Sequence, residues 1–165
     1  MADVNSNQYQ EFTKAPQGKV EPADLEGRIR QALAQVNVDN SAGDLDTGGD
    51  VAKLTWLSKH ARIAEIKVYT DGVSGLTDCD IGNSNDADGL VDGLDLSSDG
   101  VTEVIADDDT SNANDPATDL GKPLWELLGY SEAKDAPGQV ELLLTANNAS
   151  SGDGNVMVQF QYVVD

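Results

Sequence analysis

The densest run of potential ligands in the chain is Asp78-Cys-Asp-Ile-Gly-Asn-Ser-Asn-Asp-Ala-Asp-Gly89. Ser84, Asp86, Asp88, Gly89 and Asp95 fall at positions one, three, five, six and twelve of an EF-hand-like loop. Calcium takes roughly six to eight hard oxygens on a turn that a glycine permits, and this spacing supplies part of that set. The pattern departs from the loop in three ways. Ser stands at position one, the shorter Asp at position twelve, and no helical pattern flanks the run. Asp86, Asp88 and Asp95 are therefore the calcium candidates, set against the simpler reading of a solvated acidic turn. No other cofactor is expected. A second acidic cluster, Asp107-Asp-Asp-Thr-Ser-Asn-Ala-Asn-Asp115, opens with three adjacent carboxylates. Their mutual repulsion favours an extended, exposed loop.

Other chemistry is thin. His60 follows Lys59 and precedes an apolar-alternating stretch, and no nucleophile or carboxylate is placed to work with it. It reads as a surface or strand-edge histidine. Cys79 alternates with Asp78 and Asp80, so it reads as a small hydrophobe pointing inward. A single cysteine excludes an internal disulfide framework and any multi-cysteine zinc site, and a single histidine excludes H-E-x-x-H. There is no G-x-S-x-G and no glycine-rich phosphate loop. No catalytic residue is expected, and the chain reads as a non-enzyme. Trp56 and Trp125 read as core or helix anchors. A carbohydrate-binding platform is the alternative for them, but no cluster of exposed aromatics is legible, with aromatic residues at only 5% of the chain.

The 165 residues suffice for one ordinary domain. Thirty Asp and Glu against ten Lys and Arg give a net charge of -20. That balance opposes binding nucleic acid through phosphate neutralisation and opposes docking on an anionic membrane. No apolar run approaches the roughly 18 residues of a bilayer span, and no signal peptide is expected at Met1 to Gln10. The charge is uneven. Residues 1–67 hold ten acids and eight bases, whereas residues 68–165 hold twenty acids and two bases, Lys122 and Lys134. Twenty-two of the acids are Asp, a turn residue, so the acid belongs mostly to loops.

The elements that must carry these residues read mainly as strands. Residues 1–27 are polar, with Tyr9 and Phe12 as their large apolar groups and prolines at Pro16 and Pro22. They read as an extended arm. Residues 23–38 are ambiguous. Leu25, Ile29, Leu33 and Val36 fall at helical spacing, but a strand from Arg28 to Val38 puts Ala32, Ala34, Val36 and Val38 on one face. Periodicity slightly prefers the helix. After a turn-rich loop, Asn40 to Asp50, the period becomes two. Ala52, Leu54 and Trp56 form one face, and Ala64, Ile66 and Val68 another. Further strands are expected around Thr77 to Ile81, Val101 to Ala106, Val140 to Thr145 and Asn155 to Val164. In the last, Val156, Val158, Phe160, Tyr162 and Val164 share a face. Ala146 to Gly154 reads as a hairpin loop between the final two. Lys122-Pro-Leu-Trp-Glu-Leu-Leu-Gly129 reads as a short helix, with proline near its start and glycine at its stop. These elements imply a mainly β protein, an antiparallel sandwich or barrel, with an arm at 1–27 and a single domain at 28–165.

Several pieces, in order along most of the chain, resemble small proteins encoded beside the major capsid protein of tailed bacteriophages. They are Met1-Ala-Asp-Val-Asn-Ser6, Leu25-Glu-Gly-Arg-Ile-Arg30, Ala61-Arg-Ile-Ala-Glu-Ile-Lys-Val68, Cys79-Asp-Ile-Gly-Asn-Ser-Asn-Asp-Ala-Asp88, Gly121-Lys-Pro-Leu-Trp-Glu-Leu-Leu-Gly129 and Tyr162-Val-Val-Asp165. The resemblance implies a jelly-roll decoration, or cement, protein on the outer face of a capsid, with no enzymatic activity. It implies the major capsid protein as partner and a homo-oligomer, dimer or trimer, on the shell. It also reads Gly27 to Val38 as the first strand, and that reading is adopted here. The acidic stretch Asp107 to Asp119 departs from the family pattern. Charge agrees with an outer position, since a chain at -20 would be repelled by packaged DNA. Tyr9 and Phe12 are the expected partner-binding residues, able to anchor the arm across neighbouring subunits. The competing reading is a calcium-dependent adhesion or carbohydrate-binding β-sandwich.

Overall fold

The computed structural model describes residues 28–104 and 121–164. Eight strands follow one another: β1 Ile29–Val38, β2 Val51–Ser58, β3 Arg62–Asp71, β4 Cys79–Gly82, β5 Val91–Leu94, β6 Asp99–Val104, β7 Gln139–Ala146 and β8 Gly154–Val163. A 3-10 turn at Asn40–Ala42 follows β1, and a short helix, α1, spans Leu124–Leu127. The strands form two four-stranded sheets, ordered β1-β8-β3-β6 and β2-β7-β4-β5, and every pairing is antiparallel. These orders are those of a double-sheet jelly roll.

The core lies between the sheets. Ile66 and Val68 of β3 and Val156, Val158 and Phe160 of β8 meet Ile81 of β4 and Val140, Leu142 and Leu144 of β7, all essentially without solvent contact. Strict alternation along β8 makes this possible. Its buried residues are separated by Met157, Gln159 and Gln161, which face outward. Burying one such large apolar side chain contributes about 1.5–3 kcal/mol. α1 closes one end. Pro123 precedes it with extended backbone, Leu124 and Leu128 are fully buried, and Gly129 stops it at φ +72°. Its start is tied to the turn before β3. The Leu124 amide donates to the Ala61 carbonyl at 2.7 Å, and the Trp125 amide donates to that of Lys59 at 3.0 Å.

Several expectations need correction. Residues 29–38 are a strand, as the resemblance implied and as helical periodicity did not. The helical spacing joined residues from opposite faces: Ile29 and Leu33 point outward, while Val36 shares the inward face with buried Ala34 and Val38. Ala146 to Gly154 is not a hairpin loop, because β7 and β8 lie in different sheets. Each is already flanked on both sides, β7 by β2 and β4, β8 by β1 and β3, so the loop crosses between layers. Trp56 is not a core anchor. A register shift between Lys53 and Thr55 reverses the alternation of β2, which buries Leu57 and leaves Trp56 56% exposed. A similar shift between Ile63 and Glu65 makes Ile63, rather than Ala64, the buried partner of Ile66. β5 was not expected at all. Residues 1–27 and the acidic stretch 107–119 lie outside the described residues.

Candidate functional site

Among the described residues, one group of three carboxylates converges: Asp78, Asp80 and Asp92, with ligand oxygens within 4.8 Å of one another. Asp78 immediately precedes β4, Asp80 lies on it, and Asp92 lies on β5, which pairs antiparallel with β4. Asn147 organises two of the three. Its side-chain amide donates to Asp80 Oδ2 at 2.8 Å and to Asp78 Oδ1 at 3.2 Å, and its backbone amide donates to the Asp78 carbonyl at 2.9 Å. Asp80 is buried and also accepts from the Gly93 amide at 3.1 Å. Oxygens so placed suit a hard cation, although three carboxylates alone fall short of a full calcium shell. Sequence spacing missed the trio because Asp92 joins it only through strand pairing.

The three residues expected for calcium are placed differently. Asp86 and Asp88 lie together and share a hydrogen bond. Partial burial, that bond and the charge of Asp88 push the Asp86 carboxyl up to about 6. Asp95 acts separately, accepting from the Ser97 amide at 2.9 Å, and the bonds from Ser97 hold its carboxyl below the ordinary value. The turn between β4 and β5 also has a structural task. Asn83 Oδ1 accepts from the backbone amides of Asn85 and Asp86, the Asn83 side-chain amide donates to the Tyr130 hydroxyl at 3.2 Å, and the Asn85 side-chain amide donates to the Leu128 carbonyl at 2.9 Å. It thereby pins the end of α1.

Cys79 sits between Asp78 and Asp80 but points into the core. Burial first, then the charges of Asp80, Asp78 and Asp95, push its thiol up to about 12, far from a reactive thiolate. His60 is exposed in the turn before β3, where its amide donates to Ser58 Oγ. Trp125 is half-buried on α1. Tyr9 and Phe12 lie outside the described residues.

A second feature is a side of the sandwich rather than a cluster. β1 and β2 are edge strands of their respective sheets and lie next to each other. Of the five exposed large hydrophobic residues among those described, Ile29, Leu33, Val51 and Trp56 are on these two strands, and Val101 is on β6. β1 and β2 contain Arg30 and Lys53 and no acid, whereas the opposite edge strands, β5 and β6, contain Asp92, Asp99 and Glu103 and no base. In a chain at -20, strands β1 and β2 are thus an apolar, acid-free pair of edges, while the connection between them carries Asp39, Asp44, Asp46 and Asp50.

No protein-family model matches the chain, and no curated protein matches it. Solved structures do. The chain superposes on one from the "Cyanophage Pam1 capsid asymmetric unit" with a TM-score of 0.56 and 14% identity, covering 100% of both chains. It superposes on one from the "Capsid of Ralstonia phage GP4" with a TM-score of 0.57 and 12% identity, covering 86% of this chain and 88% of that one. At these identities the likeness is one of fold, and it agrees with the jelly roll read from the strand order.

Proposed function

We propose that the chain is a non-enzymatic structural protein of a phage virion that binds the outer face of the capsid and stabilises the lattice. The observation that carries this reading is the full-length structural likeness to a chain of a phage capsid asymmetric unit, across all of both chains. Charge supports an outer position, because a protein at -20 is repelled by packaged DNA. The partner is the major capsid protein, and residues 1–27 are the tether, with Tyr9 and Phe12 as apolar anchors. Many weak contacts repeated by lattice symmetry then add through effective concentration. The test is to mix the purified chain with undecorated shells of the phage that encodes it. Saturable binding and a raised shell disruption temperature are expected. Shells that bind none of it, or bind it without gaining stability, overturn the reading.

One observation favours a second reading, a calcium-dependent adhesion module: the Asp78, Asp80 and Asp92 oxygens converge. Calorimetric titration with calcium separates the two. Tight binding that is lost in Asp80→Asn, together with retention on a glycan surface, would favour the module.

A further inference from the structure

We propose that the outward face of the β1-β8-β3-β6 sheet seats the chain on its partner, and that it fits a flat protein surface whose facing residues are themselves uncharged. This rests on the reading of the chain as a capsid-binding protein and adds to the tether a seat on the sandwich.

The register defines the face. β1 and β8 set their outward residues side by side: Ile29 with Val163, Gln31 with Gln161, Leu33 with Gln159, Gln35 with Met157 and Asn37 with Asn155. The alternate residues Ala34, Val38, Val156, Val158 and Phe160 are buried, which fixes these ten on the opposite side. None of the ten is charged. With 24% of the chain charged, two or three would be expected. Arg30, the one charge in β1, pairs with Tyr162 and belongs to the other parity. In one row the uncharged strip crosses the whole sheet. Tyr69 of β3 lies beside Met157, and Val101 of β6 lies beside Tyr69. Charge returns only around it. Arg62, Glu65 and Lys67 flank it on β3, with Lys67 and Glu65 paired at 3.2 Å, and Asp71 and Asp99 close one end.

The other sheet is built differently. Each of its four strands carries a charge: Lys53 on β2, Asp80 on β4, Asp92 on β5 and Glu141 on β7. The oxygens of Asp80 and Asp92 converge with that of Asp78. Seating that sheet on a protein would strip water from carboxylates, which is costly unless each is paired. The β1–β8 face has none to strip.

Composition says what kind of surface fits. Ile29, Leu33 and Val101 are exposed at 69%, 59% and 57%, three of the five large hydrophobic residues exposed among those described. Between them stand six carboxamides, each both donor and acceptor, which can match the neutral polar groups of a partner without giving up a charge. An uncharged centre containing Met and Tyr, with charge at the rim, is the anatomy of a protein–protein interface. Apolar residues exposed within a polar rim mark the same use. A charged partner surface would lose its hydration here and find no counter-ion at the centre. Ten outward positions and the two that extend them are about half the 20–30 residues of a standard interface side. One copy therefore seats weakly, and repetition over a lattice supplies the rest.

The experiment is cosedimentation of the full chain with undecorated shells at about 0.15 M salt. Gln35→Glu with Gln161→Glu puts two nearly isosteric charges on the face. Val51→Glu with Gln139→Glu puts two on the outer side of the other sheet. The first pair should weaken binding at least tenfold, and the second should leave it within about twofold. Gln35→Lys with Gln161→Lys should also weaken it, because the partner surface is uncharged. Tighter binding by the lysine pair would mean an acidic partner surface and overturn the proposal. Hydroxyl-radical footprinting of the native chain needs no variant. Met157 and Tyr69 should be protected on shells, and exposed Trp56 on the other sheet should not. A native chain that does not bind shells overturns the capsid reading, and this seat with it. A native chain that binds while the glutamate face pair binds equally well, or while Met157 stays unprotected, overturns the seat alone. Retention on a neutral polysaccharide that the face pair loses, with shell binding intact, would give the face to a glycan and overturn the seat likewise.

Discussion

The Asp71 carboxylate grips Asn155 twice, accepting from its backbone amide at 2.5 Å and from its side-chain amide at 2.7 Å. Asp71 ends β3 and Asn155 lies near the start of β8, so the pair fastens two central strands of one sheet where their ladder runs out. The backbone bond first and the side-chain bond second hold the Asp71 carboxyl below the ordinary carboxylate value.

The sign of the pH dependence follows from that direction. A carboxyl whose folded pKa is depressed adds stability that is complete above its unfolded value and is lost as pH falls through its folded value. Asp71→Asn should therefore melt a few degrees below the native chain at neutral pH. The gap should close below the ordinary carboxylate range. Thermal melts across pH 2 to 7 check this, and a gap that persists unchanged at the acid end would contradict it.

Asp86 should behave oppositely. Its folded pKa is raised to about 6, so the folded chain holds a proton that the unfolded chain releases, and stability falls as pH rises from the ordinary carboxylate value through about 6. Asp86→Asn removes the burial cost and the repulsion from Asp88 while keeping the shape. It should be more stable than the native chain at pH 7 by about 1 kcal/mol, a figure already reduced for solvent screening. The difference should vanish near pH 4. Denaturant melts at the two pH values decide it.

Cys79 should be silent to thiol reagents in the folded state. It is fully buried and its thiol is pushed up to about 12, so almost no thiolate exists at neutral pH. A chromogenic disulfide reagent should find no thiol in native buffer and one per chain in guanidinium. Fast native labelling would show that the β4–β5 region opens readily.

Leu124→Ala should cost about 2–5 kcal/mol, the usual range for a fully buried leucine. Leu124 also starts α1, whose amides hold the carbonyls of Ala61 and Lys59, so its removal loosens the turn between β2 and β3 as well. Leu127→Ala, one turn position away and only half-buried, should cost clearly less. Equal losses in denaturant melts would place the helix elsewhere.

Much of this fold is legible in the sequence where one face is buried and the other wet. β8 shows its alternation openly, with Val156, Val158 and Phe160 inward and Gln159 and Gln161 outward. The helix is legible from Pro123 and Gly129. β1 is not, because exposed Ile29 and Leu33 imitate a helical stripe. Trp56 is misplaced because a bulge leaves no mark in a pattern of apolar residues. β5 is four residues inside an acidic run, so the run looks like loop, and the pairing that joins Asp92 to Asp78 and Asp80 is hidden with it. The β1–β2 side depends on which strands are edges. That is a property of topology, and only the assembled sheets reveal it.

The tether assigned to residues 1–27 can be tested without disturbing the sandwich. Every described strand lies at Ile29 or beyond, so a chain lacking residues 1–20 should keep its circular dichroism spectrum and melting temperature. The deleted segment includes Tyr9 and Phe12, each able to bury a large apolar area against a partner. It comes from the part of the chain where acids and bases nearly balance, so it can approach another protein without the repulsion met by residues 68–165. Salt should help attachment more than it harms it, by screening the acidic part against its neighbours on the shell. Mixed with undecorated shells, the truncated chain should bind far more weakly than the full one, and Tyr9→Ala with Phe12→Ala should reproduce most of the loss. If the truncated chain decorates shells as tightly as the full one, the contact surface lies on the sandwich itself, and the uncharged β1–β8 face becomes the place to look for it.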